Sequence, residues 1–141
     1  MEENLEENVT PEEEQTVEAP SNEALNESVL LSIKKMLGPT YDEESFDTDI
    51  IIHINSCFTT LRQLGIGPAN GYRITTKDNK WVDFIKDDEM LDSVKTYVYI
   101  KTKLVFDPPL NASLLASFEK QASELEWRLN VSIESDPKGG E

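Results

Sequence analysis

One cysteine, one histidine and thirteen basic residues are all that this chain of 141 offers to much familiar chemistry. A lone Cys57 excludes an internal disulfide. One Cys and one His cannot make the usual zinc set. A Ser–His–Asp or Cys–His arrangement would have to use His53. Cys57 lies one helical turn from it but reads as a core position, where free cysteine behaves as a small apolar residue. No apolar run approaches the roughly eighteen residues of a membrane span, and no basic start leads into an apolar stretch. The expectation is a soluble protein made and kept in the cytoplasm, with no membrane partner.

Acids, by contrast, abound. Twenty-eight Asp and Glu against thirteen Lys and Arg give a net charge of −15. Ten of the acids fall in residues 1–27, which contain no Lys or Arg, leaving −5 for 28–141. Such a body has no electrostatic route to nucleic-acid phosphates, so tight DNA binding is not expected. Asp47/Asp49 and Asp87-Asp88-Glu89 could suggest magnesium. Both clusters sit at predicted helix starts, where capping and the helix dipole already favour acids. The Gly-Ile-Gly at 65–67 lacks the third glycine and the preceding strand of a nucleotide fingerprint. No catalytic residue, cofactor or metal is therefore expected, and the reading is not an enzyme.

The chain divides into a disordered acidic arm at 1–27, a helical domain at 28–135 and a flexible end at 136–141. The arm is poor in residues that could bury apolar surface and reads as a solvated tail, with an interaction role as the alternative. Apolar spacing near 3.6 residues marks four helices. The segment 28–37 places Val29, Leu30, Ile33, Met36 and Leu37 on one face, capped by Asn26 or Ser28 and ended by Gly38-Pro39. An acidic connector leads to 46–64, with Phe46, Ile50, Ile54, Cys57, Leu61 and Leu64 inward and Ile51 and Phe58 at the margin.

The stretch 88–106 organises the rest, its face formed by Met90, Leu91, Val94, Tyr97, Val98, Leu104 and Val105 and its end set by Pro108-Pro109. The last helix, 111–134, carries a continuous face from Leu114 to Ile133 behind an Asn111 cap. Between the second and third helices, 65–87 reads as a small irregular lobe. In it Arg73–Thr76 and Lys80–Phe84 could pair as a β-hairpin, or Trp81–Ile85 could form one helical turn. The fold class is all-α, a bundle of about four helices.

Surfaces remain as the place for function. Trp127 falls almost opposite the apolar face of its helix, beside Ala116, Lys120 and Val131 and next to Arg128. An exposed indole suits a binding hot spot, while packing under the 65–87 lobe is the structural alternative. Ile52 lies on the polar side of 46–64, with a slight lean towards a contact role. Lys101 falls in the middle of an apolar face, a candidate buried charge. It should extend along its stem or meet a carboxylate such as Asp49 or Glu126.

Taken together, four segments resemble the head–tail connector (head-completion adaptor) proteins of tailed phages and prophages of Gram-positive bacteria. They are FDTDIIIHINSCFTTLRQLGIGP at 46–68, Trp81-Val82-Asp83-Phe84, SVKTYVYIKTKLVFDPP at 93–109 and ELEWRLNV at 124–131. The resemblance runs from about 28 to 134; the acidic arm departs from it. It implies a virion protein at the head–tail junction, present in the host cytoplasm during assembly, that binds the portal protein after DNA packaging. Its copies would close as a ring, twelve-fold by family resemblance, and extend the DNA channel. DNA would pass without specific binding, and the ring would dock the next neck or tail-completion protein. In that family the C-terminal helix takes part in attachment near the portal. The alternative from a different class is an acidic DNA-mimic inhibitor of a host nucleic-acid-binding protein.

Overall fold

Six α-helices and no strands make up the described residues, 20–135 of a computed structural model. They are α1 (Pro20–Leu25), α2 (Val29–Leu37), α3 (Asp47–Gln63), the single turn α4 (Trp81–Phe84), α5 (Asp88–Phe106) and α6 (Ala112–Ser135). Two short 3-10 turns, Pro39–Tyr41 and Glu44–Phe46, occupy the connector between α2 and α3. The architecture is all-α, as the periodicity predicts.

Local chemistry sets the helix ends. Ser28 Oγ accepts from Leu31 N at 3.1 Å and caps α2, and Gly38 terminates it at φ 119. Asp87 Oδ1 accepts from Glu89 N at 2.9 Å to cap α5. Asn111 Oδ1 accepts from Leu114 N at 3.1 Å at the head of α6.

Around α5 the other helices assemble: α3 and α6 pack along it, and α1 and α2 touch it as well. Burial on more than one side explains why Ile100 and Thr102 are inside along with Leu91, Val94, Tyr97 and Val98. Val105, expected inward, is instead 63 % exposed. The core is completed by Val29, Leu30 and Ile33 from α2, and by Ile50, Ile54, Cys57, Phe58 and Leu61 from α3. Met36, assigned to the inner face of α2, lies outside, whereas Lys34, not assigned to that face, is buried.

Order also begins earlier than the sequence reading places it. Helix α1 lies inside the stretch assigned to the arm, and Ala24 and Leu25 pack on the core. Glu27 O accepts from Trp81 N at 3.2 Å, which ties this segment to α4. The remainder of the arm, 1–19, and the end 136–141 lie outside the described residues.

The hairpin alternative for 65–87 does not form; the helical-turn alternative does. Only an isolated bridge, Ser28 with Lys80, appears. Asn79 Oδ1 accepts from Thr75 N at 2.8 Å and Thr76 N at 3.1 Å, so a side chain satisfies amides that strand pairing would have used. Trp81 then turns inward, fully buried, with its Nε1 donating to Ser32 Oγ at 3.1 Å. Its neighbour Phe84 packs on Phe58 and Tyr72, at centroid distances of 4.5 and 5.7 Å. Gly67, at φ 93, lies so close beneath Phe84 that a Cβ there would collide with the ring.

Candidate protein-interaction surface

Helix α6 is about 36 Å long at 1.5 Å per residue, and its two halves have different surroundings. Ala122, Leu125 and Leu129 are buried against α5. Before Ala122 no residue of the helix is fully buried: Leu115 and Phe118 are half-covered and Leu114 is 48 % exposed. The apolar face predicted to run continuously from Leu114 is therefore fully buried only from Ala122 onward; before it, Phe118 packs part-covered on the core with its ring 6.4 Å from Tyr99. Leu110, just before the helix, is fully exposed.

Trp127 stands on the outer side of α6 with 67 % of its surface exposed, so it does not pack under the 65–87 lobe. Lys120 and Arg128 are exposed near it, and Val131 is half-exposed. Arg128 also lines a cleft of about 310 Å³ between α6 and the start of α5, with Asp87 and Glu89 opposite. A flat indole with basic groups beside it can bury apolar area and receive carboxylates.

Lys101 is only partly covered, its side chain 39 % exposed, and its Nζ lies 3.9 Å from Glu126 Oε2. Tyr97 Oη donates to the same carboxylate oxygen at 2.6 Å. Burial first, and then that carboxylate, pushes the Tyr97 hydroxyl far above its usual range. The ammonium that is truly buried belongs to Lys34, at 4 % exposure, which donates to Asp47 Oδ1 at 2.6 Å and to the carbonyls of Asp42 and Glu43. Nothing in the sequence distinguishes Lys34 from Lys35 except its place on the wheel beside Leu30 and Ile33.

His53 and Cys57 share a cleft of about 180 Å³ with Lys101 and Val105. Cys57 is buried, and burial pushes its thiol up to about 11, so it stays protonated at neutral pH rather than acting as a nucleophilic thiolate. Among the described residues no group of three or more His, Cys, Asp or Glu could hold a metal ion, and no helix is long and apolar enough to cross a membrane.

Ile52 is 57 % exposed and borders an open groove of about 440 Å³ between α3 and the 65–80 loop. Ser56, Thr59, Asn70 and Arg73 also line it. Its wall is fixed by Asn55, which accepts from Ile74 N at 2.7 Å and donates to Ile74 O at 3.0 Å. The structure does not bring Ile52 and Trp127 into one site: one belongs to the α3 groove and the other to α6. No sequence pattern announces the groove, because its far wall is loop.

No curated protein and no solved structure matches the chain. The model of the phage connector protein family matches residues 29–136, a span that takes in every helix from α2 to α6. With more than three-quarters of its length matched, and an all-α bundle beneath that match, the chain belongs to the phage connector protein family.

Proposed function

We propose that this protein is a head–tail connector that binds the portal vertex as a ring, extends the DNA channel and docks the next neck or tail-completion protein. The observation that carries the reading is the family match at 29–136, which covers nearly the whole described body. The surface around α6 is consistent with it. An element already anchored by Ala122, Leu125 and Leu129 presents Trp127 and the 48 % exposed Leu114 to a partner. Identical copies joined by heterologous contacts close into a ring when the rotation between them closes. A net charge of −15 opposes self-association of the free chain, so the ring forms on the portal as its template. The same charge suits a channel wall that does not hold passing phosphates.

The test is complementation in vitro. DNA-filled heads lacking this protein are incubated with the purified chain, then with tails, and infectious particles are counted. Restored infectivity that depends on the added protein supports the connector role. Heads that join tails equally well without it would refute that role, as would failure of the folded chain to bind portal-bearing heads.

A further inference from the structure

We propose that the acidic segment 1–19 docks in the groove between α3 and the 65–80 loop of its own chain, as an intramolecular ligand. The inference stands apart from the connector reading, because it concerns the free chain alone. The groove is the first ground. In a protein with 28 acids, no carboxylate lines it. Its polar walls offer donors instead: the Arg73 guanidinium, the Ser56 hydroxyl and the Asn70 amide, beside the exposed side chain of Ile52. The charges around it lean the same way. Arg62 reaches the Gly71 turn and donates to Ala69 O at 3.1 Å, and Lys77 and Lys80 belong to the same loop. Asp49, one turn before Ile52, and Asp78 and Asp83 on the loop side are the nearby acids, none of them in the lining.

The segment supplies the complement. Residues 1–19 hold eight glutamates and no Lys or Arg, with Leu5, Val9 and Val17 spaced among them. Carboxylates can take the donors of Arg73 and its neighbours while one of these aliphatic side chains covers Ile52. Connectivity favours the same chain over a second copy. Helix α1 starts at Pro20 and packs on α4, whose Phe84 ring lies 5.7 Å from Tyr72 at the edge of the groove. Nineteen residues span up to about 60 Å when extended, ample for that path. The short tether also gives the segment a local concentration that a free partner would have to match. An outside acidic partner and the segment therefore compete for one groove.

A nitroxide attached through Val9→Cys in the full-length chain tests this, since Cys57 is buried and spared from labelling. The expected result is loss of the amide signals of Ser56, Thr59, Asn70 and Arg73, with signals along α6 retained. Arg73→Glu should restore them. So should raising salt from about 0.1 M to about 1 M, which shortens the screening length from about 10 Å to about 3 Å. Should the Arg73 variant fail to fold, the salt titration of the parent decides alone. Signals that never weaken, or that weaken without regard to salt, would overturn the proposal. So would weakening when isotope-labelled chains without nitroxide are mixed with unlabelled nitroxide-bearing ones, because that places the segment on another copy.

Discussion

Lys34 Nζ lies 2.6 Å from Asp47 Oδ1, the lysine side chain 5 % exposed and the aspartate 26 %. With Asp42 O at 3.0 Å and Glu43 O at 3.2 Å, each of its three ammonium donors has an acceptor. This one side chain fastens the connector 38–46 and the first turn of α3 onto α2. Around it, Tyr41, Phe46 and Phe106 meet edge to face, so the polar clasp is backed by an aromatic cluster.

Removing the carboxylate leaves the charge buried, whereas removing the ammonium leaves an aspartate that water can reach. Asp47→Ala should therefore cost about 3 kcal/mol in denaturant unfolding, and Lys34→Met distinctly less. Equal losses for the two, or none for Asp47→Ala, would show that the pair is not the clasp its geometry suggests.

How legible this was from sequence differs sharply between elements. Helices α3 and α5 lie within a residue of the 46–64 and 88–106 read from periodicity, because strong apolar faces end at Gly65 and Pro108. Lys34 was not legible, because its acceptors come from a connector whose path only the tertiary fold defines. Lys101 shows the converse: an inner position on the wheel lies where α3 and α5 part enough for its side chain to reach Glu126 and solvent. In the 65–87 lobe, β-forming residues around a turn pair suggest strands. The burial of Trp81 and the bonds made by Asn79 decide for a loop and one helical turn. The Trp127 surface follows from its wheel position; the Ile52 groove does not, since half of it is loop.

Thr102 is fully buried on α5, and its Oγ1 has no partner of hydrogen-bonding geometry, only the Cys57 thiol lying near it. Valine keeps the shape and removes the stranded hydroxyl. Thr102→Val should raise stability by about 1 kcal/mol. A loss of similar size would mean that the thiol and hydroxyl do pair.

Alkaline pH should unfold the protein progressively. Burial raises the Cys57 thiol from 9.0 to about 11, and burial with the Asp83 charge raises the Tyr72 hydroxyl from 10.0 to about 12. The unfolded chain releases these protons first, so stability present below about pH 9 is lost as pH rises through the folded values. Denaturant midpoints measured upward from pH 8 should hold until near 9 and then fall. A midpoint unchanged to pH 11 would contradict the burial of both groups.

Trp127→Ala should leave the fold intact, because the indole lies outside the packed face of α6. Binding to portal-bearing heads should weaken by about 2 kcal/mol or more, the range of an aromatic hot spot. Circular dichroism and co-sedimentation with heads separate the two effects. An unfolded variant, or one that binds as well as the parent, removes Trp127 from the interface.

The most direct measurement is single-particle imaging of the head–tail junction in intact virions, with this chain located by its helices. A closed ring should lie between the portal and the next neck protein, each copy turning α6 and Trp127 towards a neighbouring protein. Absence of the chain from the junction would contradict the connector role, and a ring with α6 facing open solvent would contradict the interface assigned to it.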